Sequence, residues 1–354
     1  MNMKKNDDFN SQLNVISSIR LPLILLIVSC HVIPDVTLGT FDWWVVKFIG
    51  HEVASVGVPL FFLISGILFF HNVDKKKSIA IFCEEIYSGG GKIPRRIKSI
   101  FIPYMAWNLL AYLVRSLAYR KVAFEWSAML SHRIYIDWNW ESHGFFMYPC
   151  DGPLWFMRNL FVICLCAPIV FAVVKNVAYQ FAFPLIMVLF LLNLTGTYDM
   201  GLMNTFYFFT LGAYIGVNRS VVLPIITHNS KLLLVAYVVL AICDLYSMNS
   251  FEFHVYIFRL GILLGIPVVA LLTQTLPNHY KNIGFPSLSM FIYCAHGFLL
   301  EPVVSIVRHS SIKCMTVAFI INILGTVLLC IIGYLVTMKC LPVWMQKVLM
   351  GGRT

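Results

Sequence analysis

Charged residues are scarce in this sequence. Only 12 % of its 354 residues are Asp, Glu, Lys or Arg, whereas 59 % are hydrophobic. A soluble protein of this length needs a larger polar surface, so the composition excludes a soluble globular domain and indicates a polytopic membrane protein. The net charge of +10 does not point to nucleic acid, because basic residues in such a protein usually mark the cytoplasmic connections.

Paired cysteines and metal-ligand spacings are also missing. The 10 cysteines form no CxxC pair and no Cys/His pattern with metal-binding spacing, and most of them fall in apolar segments. We therefore expect packed thiols, with neither a disulfide framework nor a metal site. Internal repeats, low-complexity tracts and a soluble second domain are absent as well, which predicts one membrane-embedded domain over residues 1–354.

Ten apolar segments are long enough to cross a membrane as helices, which predicts an all-α fold. They lie at 15–33, 53–71, 100–118, 154–174, 181–195, 202–217, 232–248, 253–275, 286–306 and 315–337. Lys and Arg are concentrated in every second connection counted from the N-terminus, most densely in residues 72–99. Because cytoplasmic connections carry the excess of positive charge, both termini are predicted to be cytoplasmic.

The first apolar segment contains two residues that are costly in a membrane, Arg20 and His31. Eleven residues of α-helix advance roughly 16 Å and complete about three turns, so both side chains lie on one face at different depths. This arrangement favours a functional role for the pair. A snorkelling anchor is the alternative for Arg20, and an interfacial or internally hydrogen-bonded imidazole is the alternative for His31.

Basic residues also cluster in the connection after the second segment, which reads SGGGKIPRRIKS. Arg95, Arg96 and Lys98 follow three glycines, and arginine presents planar bidentate donors that suit phosphate. Together with Arg20 at the same membrane face, they predict a cytoplasmic site for a polyanionic ligand, such as a donor that carries a nucleotide. A simple topology signal is the alternative.

Small residues interrupt the second apolar segment at Ser65 and Gly66, within VGVPLFFLISGILFF. Such residues let a thin ligand or another backbone come close. Close helix packing explains the same pattern and is the alternative.

The ordered motifs resemble the acyltransferase family 3 of bacterial membrane proteins. The resemblance rests on Arg20 and His31 in the first segment, then on VPLFFLISGILFF, RRIKSIFIPYMAWN, GPLWFMRNLF, FFTLGAYIG and SLSMFIYCAHGFL in the same order. It covers nearly the whole chain. Members transfer acyl groups, commonly from acetyl-CoA, to hydroxyls of cell-surface or exported carbohydrates. Many members carry a further arginine after the RR pair, and Ser99 takes that place here.

The resemblance implies an O-acyltransferase, expected to be an O-acetyltransferase, in the bacterial cytoplasmic membrane. Acyl-CoA would bind from the cytoplasm, and the acceptor would be a carbohydrate or glycolipid at the outer face. Arg20 and the basic connection would hold the phosphates of the donor while its pantetheine arm passes Ser65 and Gly66 toward His31. There a neutral imidazole would act as general base, with a covalent acyl-histidine as a less favoured variant.

The outer half of the predicted bundle carries further charged and titratable residues. We expect Arg158, Arg259 and His296 to contact the acceptor, and Glu301 to orient His31. A buried ion pair between Arg259 and Glu301 is the alternative for those two, because they are predicted at similar depth. His296 is equally explained as a hydrogen-bonded core histidine.

Two other classes of function fit parts of the sequence. A transporter or flippase would also line a path with buried charges, but it favours inverted repeats or broken helices in matching halves, and we find neither. The other class is a small-molecule-binding or sensing domain that has kept the fold but lost catalysis, and the retention of Arg20 and His31 argues mildly against it. The aromatic-rich connection 119–152 suits sugar rings, although an interfacial belt explains it as well.

Overall fold

The computed structural model describes residues 19–114, 117, 149, 151–192, 201–218, 230–248, 254–274 and 286–353. Within these ranges the regular structure is helical and contains no strand, which agrees with the predicted all-α class. The aromatic-rich connection 119–152 lies almost entirely outside the described residues.

The helices carry the following names in chain order. They are α1 (Ile19–His31), α2 (Phe41–Lys47), α3 (Gly57–Phe70), α4 (Ile79–Tyr87), α5 (Lys92–Arg96), α6 (Ile102–Leu113), α7 (Trp155–Leu165), α8 (Ala167–Asn176), α9 (Tyr179–Leu192), α10 (Leu202–Val217), α11 (Ser230–Ser247), α12 (His254–Gln274), α13 (Pro286–Arg308), α14 (Met315–Cys340) and α15 (Val343–Met350). π turns at Phe48–Val53 and Ile97–Phe101 lead into α3 and α6, and a 3-10 turn at Gly152–Leu154 precedes α7.

Each of the ten predicted segments contains helix. By length and composition, the described residues hold 5 helices that can cross a membrane, and the pair α7–α8, bent by 59°, makes a sixth. Helices α1, α9 and α10 are apolar but shorter. The chain is therefore a multi-pass membrane protein, while the count of ten spans and the cytoplasmic placement of both termini stay predictions.

The second membrane helix begins earlier than predicted. The apolar pattern places its start at residue 53, but the helix is continuous from Phe41. Thr40 caps this start, because its side chain accepts a hydrogen bond of 3.2 Å from a backbone N–H in the first turn. The prediction was wrong because His51 and Glu52 interrupt the apolar run without ending the helix.

The connection 72–99 is also more ordered than its composition indicates, since it contains α4 and α5. The side chain of Ser78 caps α4, accepting a backbone hydrogen bond of 3.2 Å. Phe82 of α4 is buried and stacks on Phe171, with ring centroids 4.2 Å apart. This contact anchors the basic connection against the membrane helices.

Close helix packing at the centre of the fold joins α3 and α10. Helices α3 and α10 cross at glycines: a Cβ added at Gly66 would lie 2.1 Å from the Phe209 carbonyl oxygen, and one at Gly212 would lie 2.0 Å from the Leu63 carbonyl oxygen. No side chain fits between the two backbones at these points. Helix α1 packs beside the crossing, against Gly57 at the start of α3.

Candidate functional site

Three arginines from distant parts of the sequence meet near the start of α1. Arg20, Arg96 and Arg353 lie close enough for their charges to act on one another, and we call them the arginine cluster. Burial and then the charge of Arg20 lower the pKa of Arg353 to about 10. Among the described residues, no carboxylate forms an ion pair with any of the three. The cluster is therefore an uncompensated positive site, which suits a polyanion.

Arg353 reaches the cluster because the chain turns sharply after α15. Gly351 and Gly352 have φ of +61° and +73°, a left-handed conformation that ends the helix and that glycine adopts without strain. The Nη1 atom of Arg353 then donates to the carbonyl oxygens of Ser99 (3.1 Å) and Met350 (3.0 Å). Arg353 is not among the residues predicted from the sequence, although the Gly-Gly pair before it is a signal for such a turn.

Lys92 extends the positive region at the start of α5. Its ammonium group donates to the Phe69 carbonyl oxygen and lies 5.2 Å from the centroid of the Phe69 ring. Burial, followed by the charges of Arg96 and Arg95, lowers the pKa of Lys92 to about 8. Its charge is thus sensitive to pH near neutrality, and a bound anion would favour the charged form.

The other predicted phosphate-binding residues lie at the edge of this region. Arg95 is exposed, and its Nε atom donates to the Gly91 carbonyl oxygen over 3.1 Å. Lys98 is exposed as well. Of the predicted donor-site residues, the structure therefore joins Arg20 and Arg96 and leaves Arg95 and Lys98 facing outward.

A pair of histidines lies at the opposite end of α1. The rings of His31 and His296 have centroids 5.4 Å apart and are inclined by 42°. His296 is fully buried, and its Nδ1 atom faces the carbonyl oxygens of Tyr293 (2.7 Å) and Ile292 (3.2 Å). Two acceptors require a proton on Nδ1, so a neutral His296 carries its lone pair on Nε2.

The lone pair of His296 has no hydrogen-bond partner within the described part of the chain, although Nε2 is buried. His31 is surrounded by protein at depth, yet its side chain is accessible. The structure thus places an accessible imidazole, His31, against a buried one, His296. An imidazole so placed can take a proton from a group that approaches it.

A buried carboxylate lies beside Gly297, the residue after His296. Asp151 has no exposed surface, and a Cβ added at Gly297 would lie 1.9 Å from its Oδ1 atom, so the carboxylate packs against the residue after His296. The Tyr293 hydroxyl donates to the Pro153 carbonyl oxygen and holds the 3-10 turn on α13. Asp151 has no individual role among the predictions from the sequence.

Comparison with known proteins identifies the family of this chain. A family model described as an acyltransferase domain (Acyl_transf_3) matches residues 14–338, nearly the whole chain. The chain belongs to acyltransferase family 3. No curated protein and no solved structure matches it. The resemblance seen in the sequence is thereby confirmed, and the protein is a membrane acyltransferase, an enzyme that transfers groups other than aminoacyl groups.

Arg353 lies beside a position at which the family pattern has an arginine. Many members have an arginine where this acyltransferase has Ser99, and here the guanidinium of Arg353 lies against the Ser99 carbonyl oxygen. A positive charge from another part of the chain thus occupies the neighbourhood of the missing one.

The structure does not join the predicted outer residues of the acyltransferase to the histidine pair. Arg158 donates through Nε (3.0 Å) and Nη2 (2.9 Å) to the Asn159 side chain, and Arg259 donates to the Leu191 carbonyl oxygen over 3.0 Å. Among the described residues, neither these arginines nor Glu301 makes a hydrogen bond or ion pair with His31 or His296. Their acceptor-binding roles, and the orienting role of Glu301, stay predictions.

Gly66 serves the crossing of α3 and α10, where the backbone of Phe209 occupies the space beside it. This contact agrees with close helix packing, the alternative explanation of Gly66. Ser65 is half-buried on the same helix, and its contact with a donor arm stays a prediction.

Proposed function

We propose that this acyltransferase moves an acyl group, acetyl in the simplest case, from cytoplasmic acyl-CoA to a hydroxyl of a carbohydrate or glycolipid at the outer face of the bacterial cytoplasmic membrane. One observation carries the proposal. Helix α1 has the uncompensated arginine cluster at one end and, at the other, two histidines whose neutral imidazoles can act as bases. The first suits the phosphates of CoA, and the second suits the chemistry at the thioester.

The arginine cluster supports the choice of donor. Three cations that repel one another in a partly buried site gain more from a polyanion than isolated surface cations do, because burial weakens screening by solvent. Arginine also binds phosphate through two parallel hydrogen bonds. CoA brings three phosphate groups on its nucleotide end, and its pantetheine arm is long and thin enough to follow α1 over roughly 16 Å to His31.

The histidine pair supports the choice of reaction. As the acceptor oxygen attacks the thioester carbonyl, a C–O bond forms and the C–S bond breaks. His31 takes the hydroxyl proton and returns it to the departing thiolate, a contribution typically worth about 10²- to 10⁴-fold. The Nε2 lone pair of His296 accepts a hydrogen bond from protonated His31. An acyl-histidine on His31 is the covalent variant of this scheme.

Acyl transfer by the purified protein tests the proposal. The protein in lipid nanodiscs receives acetyl-CoA labelled in the acetyl group together with an extract of surface glycans, and mass spectrometry follows acetyl on the glycans while a thiol reagent follows free CoA. We expect both to rise together, and His31→Ala to lower the rate of both by about 10²-fold or more. The proposed reaction would be contradicted if folded protein binds acetyl-CoA but neither transfers its acetyl group nor hydrolyses its thioester with any glycan extract.

A further inference from the structure

A second cluster of titratable side chains lies apart from the arginine cluster and the histidine pair. His51 and Glu52 come from the π turn before α3, Asp244 from α11 and His254 from the start of α12. We call these four the His–carboxylate cluster. One ligand atom from each of His51, Glu52 and Asp244 lies within 4.8 Å of the others. The Nδ1 atom of His254 lies 3.7 Å from Oδ1 of Asp244.

The two carboxylates of this cluster are buried together. The side chain of Asp244 is 0 % exposed and that of Glu52 is 2 % exposed. Among the described residues, both oxygens of Asp244, Oε1 of Glu52 and Nδ1 of His254 make no hydrogen bond of normal length and have only longer contacts with one another. Within the described ranges, no lysine or arginine forms an ion pair with either carboxylate. Buried carboxylates without compensation are costly, and they repel each other when both are charged.

Local structure holds these ligand atoms in place. A π turn inserts an extra residue into a helix, and such turns are frequent at functional sites. The ring of His51 stacks on Phe258 of α12, with centroids 4.6 Å apart and planes inclined by 16°. A Cβ added at Gly265 would lie 2.5 Å from Val56 and 2.8 Å from Tyr237, so a glycine lets α11 and α12 approach α3 closely. The three helices therefore converge at the cluster.

We propose that His51, Glu52, Asp244 and His254 bind one divalent transition-metal ion of the zinc class. Two imidazole nitrogens and two carboxylate oxygens form a complete tetrahedral set, and the two negative charges neutralise the ion inside the protein. Ligand atoms around tetrahedral zinc are roughly 3.3 Å apart, so the atoms of His51, Glu52 and Asp244, which lie within 4.8 Å of one another, need to close by up to about 1.5 Å. His254 would join them through movement of its ring, since its Nδ1 atom is placed only by its distance of 3.7 Å from Asp244 Oδ1. His51 and His254 are 33 % and 31 % exposed, which gives the ion a route of entry.

Such a site would have a structural role. With four protein ligands it leaves no open position for substrate, and it would tie α11 and α12 to the helix that runs from Phe41 to Phe70. Metal binding that is confined to the folded state adds its free energy to stability. The proposal does not depend on the identity of the acyl donor or the acceptor.

Metal content of the full chain tests the proposal directly. Protein without a purification tag is stripped with EDTA, incubated with Zn²⁺, desalted and measured by elemental mass spectrometry. We expect about one zinc per chain, and an at least tenfold weaker zinc affinity for Glu52→Gln and for Asp244→Asn. Glu84→Gln, the same change at an exposed glutamate of α4, should bind like the wild type. Zinc should raise the unfolding temperature of the wild type and of Glu84→Gln only.

A second measurement needs no variant. X-ray absorption at the zinc edge of the wild type should show nitrogen and oxygen ligands, including imidazole, and no sulfur. Less than about 0.2 zinc per chain in the wild type would overturn the proposal. Sulfur ligands, or full zinc content in the Glu52→Gln/Asp244→Asn double variant, would overturn it as well, because the ion would then sit elsewhere.

Discussion

Replacement of Arg353 by Gln should change stability and donor affinity in opposite directions. The pKa of Arg353 falls from 12.5 to about 10, so its charged form costs the folded protein about 3 kcal/mol at neutral pH, reduced to roughly 2 kcal/mol by solvent access. The folded-state pKa is the lower one, so this cost applies at every pH below about 10. The glutamine amide can keep one of the two hydrogen bonds to the Ser99 and Met350 carbonyl oxygens, and loss of the other offsets about 1 kcal/mol.

The variant should therefore be about 1 kcal/mol more stable than the wild type. Its affinity for CoA should nevertheless fall, because a hydrogen bond between a charged donor and phosphate contributes about 1.5–3 kcal/mol, or roughly 10- to 100-fold in Kd. Calorimetric titration with CoA and thermal unfolding in nanodiscs measure the two effects. Arg308→Gln is the control, because Arg308 is exposed at the end of α13. Wild-type CoA affinity together with lower stability would refute the reasoning.

Further predictions separate the roles of the remaining residues. Arg20→Gln should raise the Kd for CoA at least tenfold while turnover at saturating donor stays near that of the wild type, since a phosphate contact acts equally in ground and transition states. His31→Ala should show the reverse, with unchanged Kd in calorimetry and turnover lower by about 10²-fold, and near-normal turnover would end its assignment as base. CoA affinity should fall as the pH rises through about 8, because Lys92 loses its charge there, and Lys92→Arg should remove this fall in titrations from pH 7 to 9. An unchanged profile in that variant would assign the fall to another group. Gly66→Leu should lower the unfolding temperature markedly in a thermal scan, because its side chain would meet the Phe209 carbonyl of α10, whereas Gly89→Leu, in open space, should not.

The helices of this protein could be predicted from the sequence, because a long apolar segment in a bilayer satisfies its backbone hydrogen bonds internally by forming a helix. Their ends could not. The start of α2 depends on a hydrogen bond that the Thr40 side chain accepts from the Trp43 N–H. The helix continues through His51 and Glu52 because Asp244 of α11 and Phe258 of α12 cover them. Hydropathy along one segment contains no information about such partners.

The same limit applies to the candidate site. The shared face of Arg20 and His31 follows from helix geometry alone. In the structure Arg96 lies near Arg20, and His296 lies near His31. Arg353 could not be assigned, because its position depends on a left-handed turn and on contact with a residue 254 positions away in the sequence. The His–carboxylate cluster combines residues from three helices, so no local spacing marks it.

Helix α1 has a consequence for selectivity under the proposed function. Because one rigid helix carries both the anchor for phosphates and the base, it measures the length of the acyl carrier. A thioester on a carrier without the nucleotide end would reach His31 with nothing to hold it, and a carrier with a shorter arm would be held with its thioester out of reach. The enzyme would thus select its donor by the length and the charge of the carrier, and its selectivity for the acyl group itself would be lower.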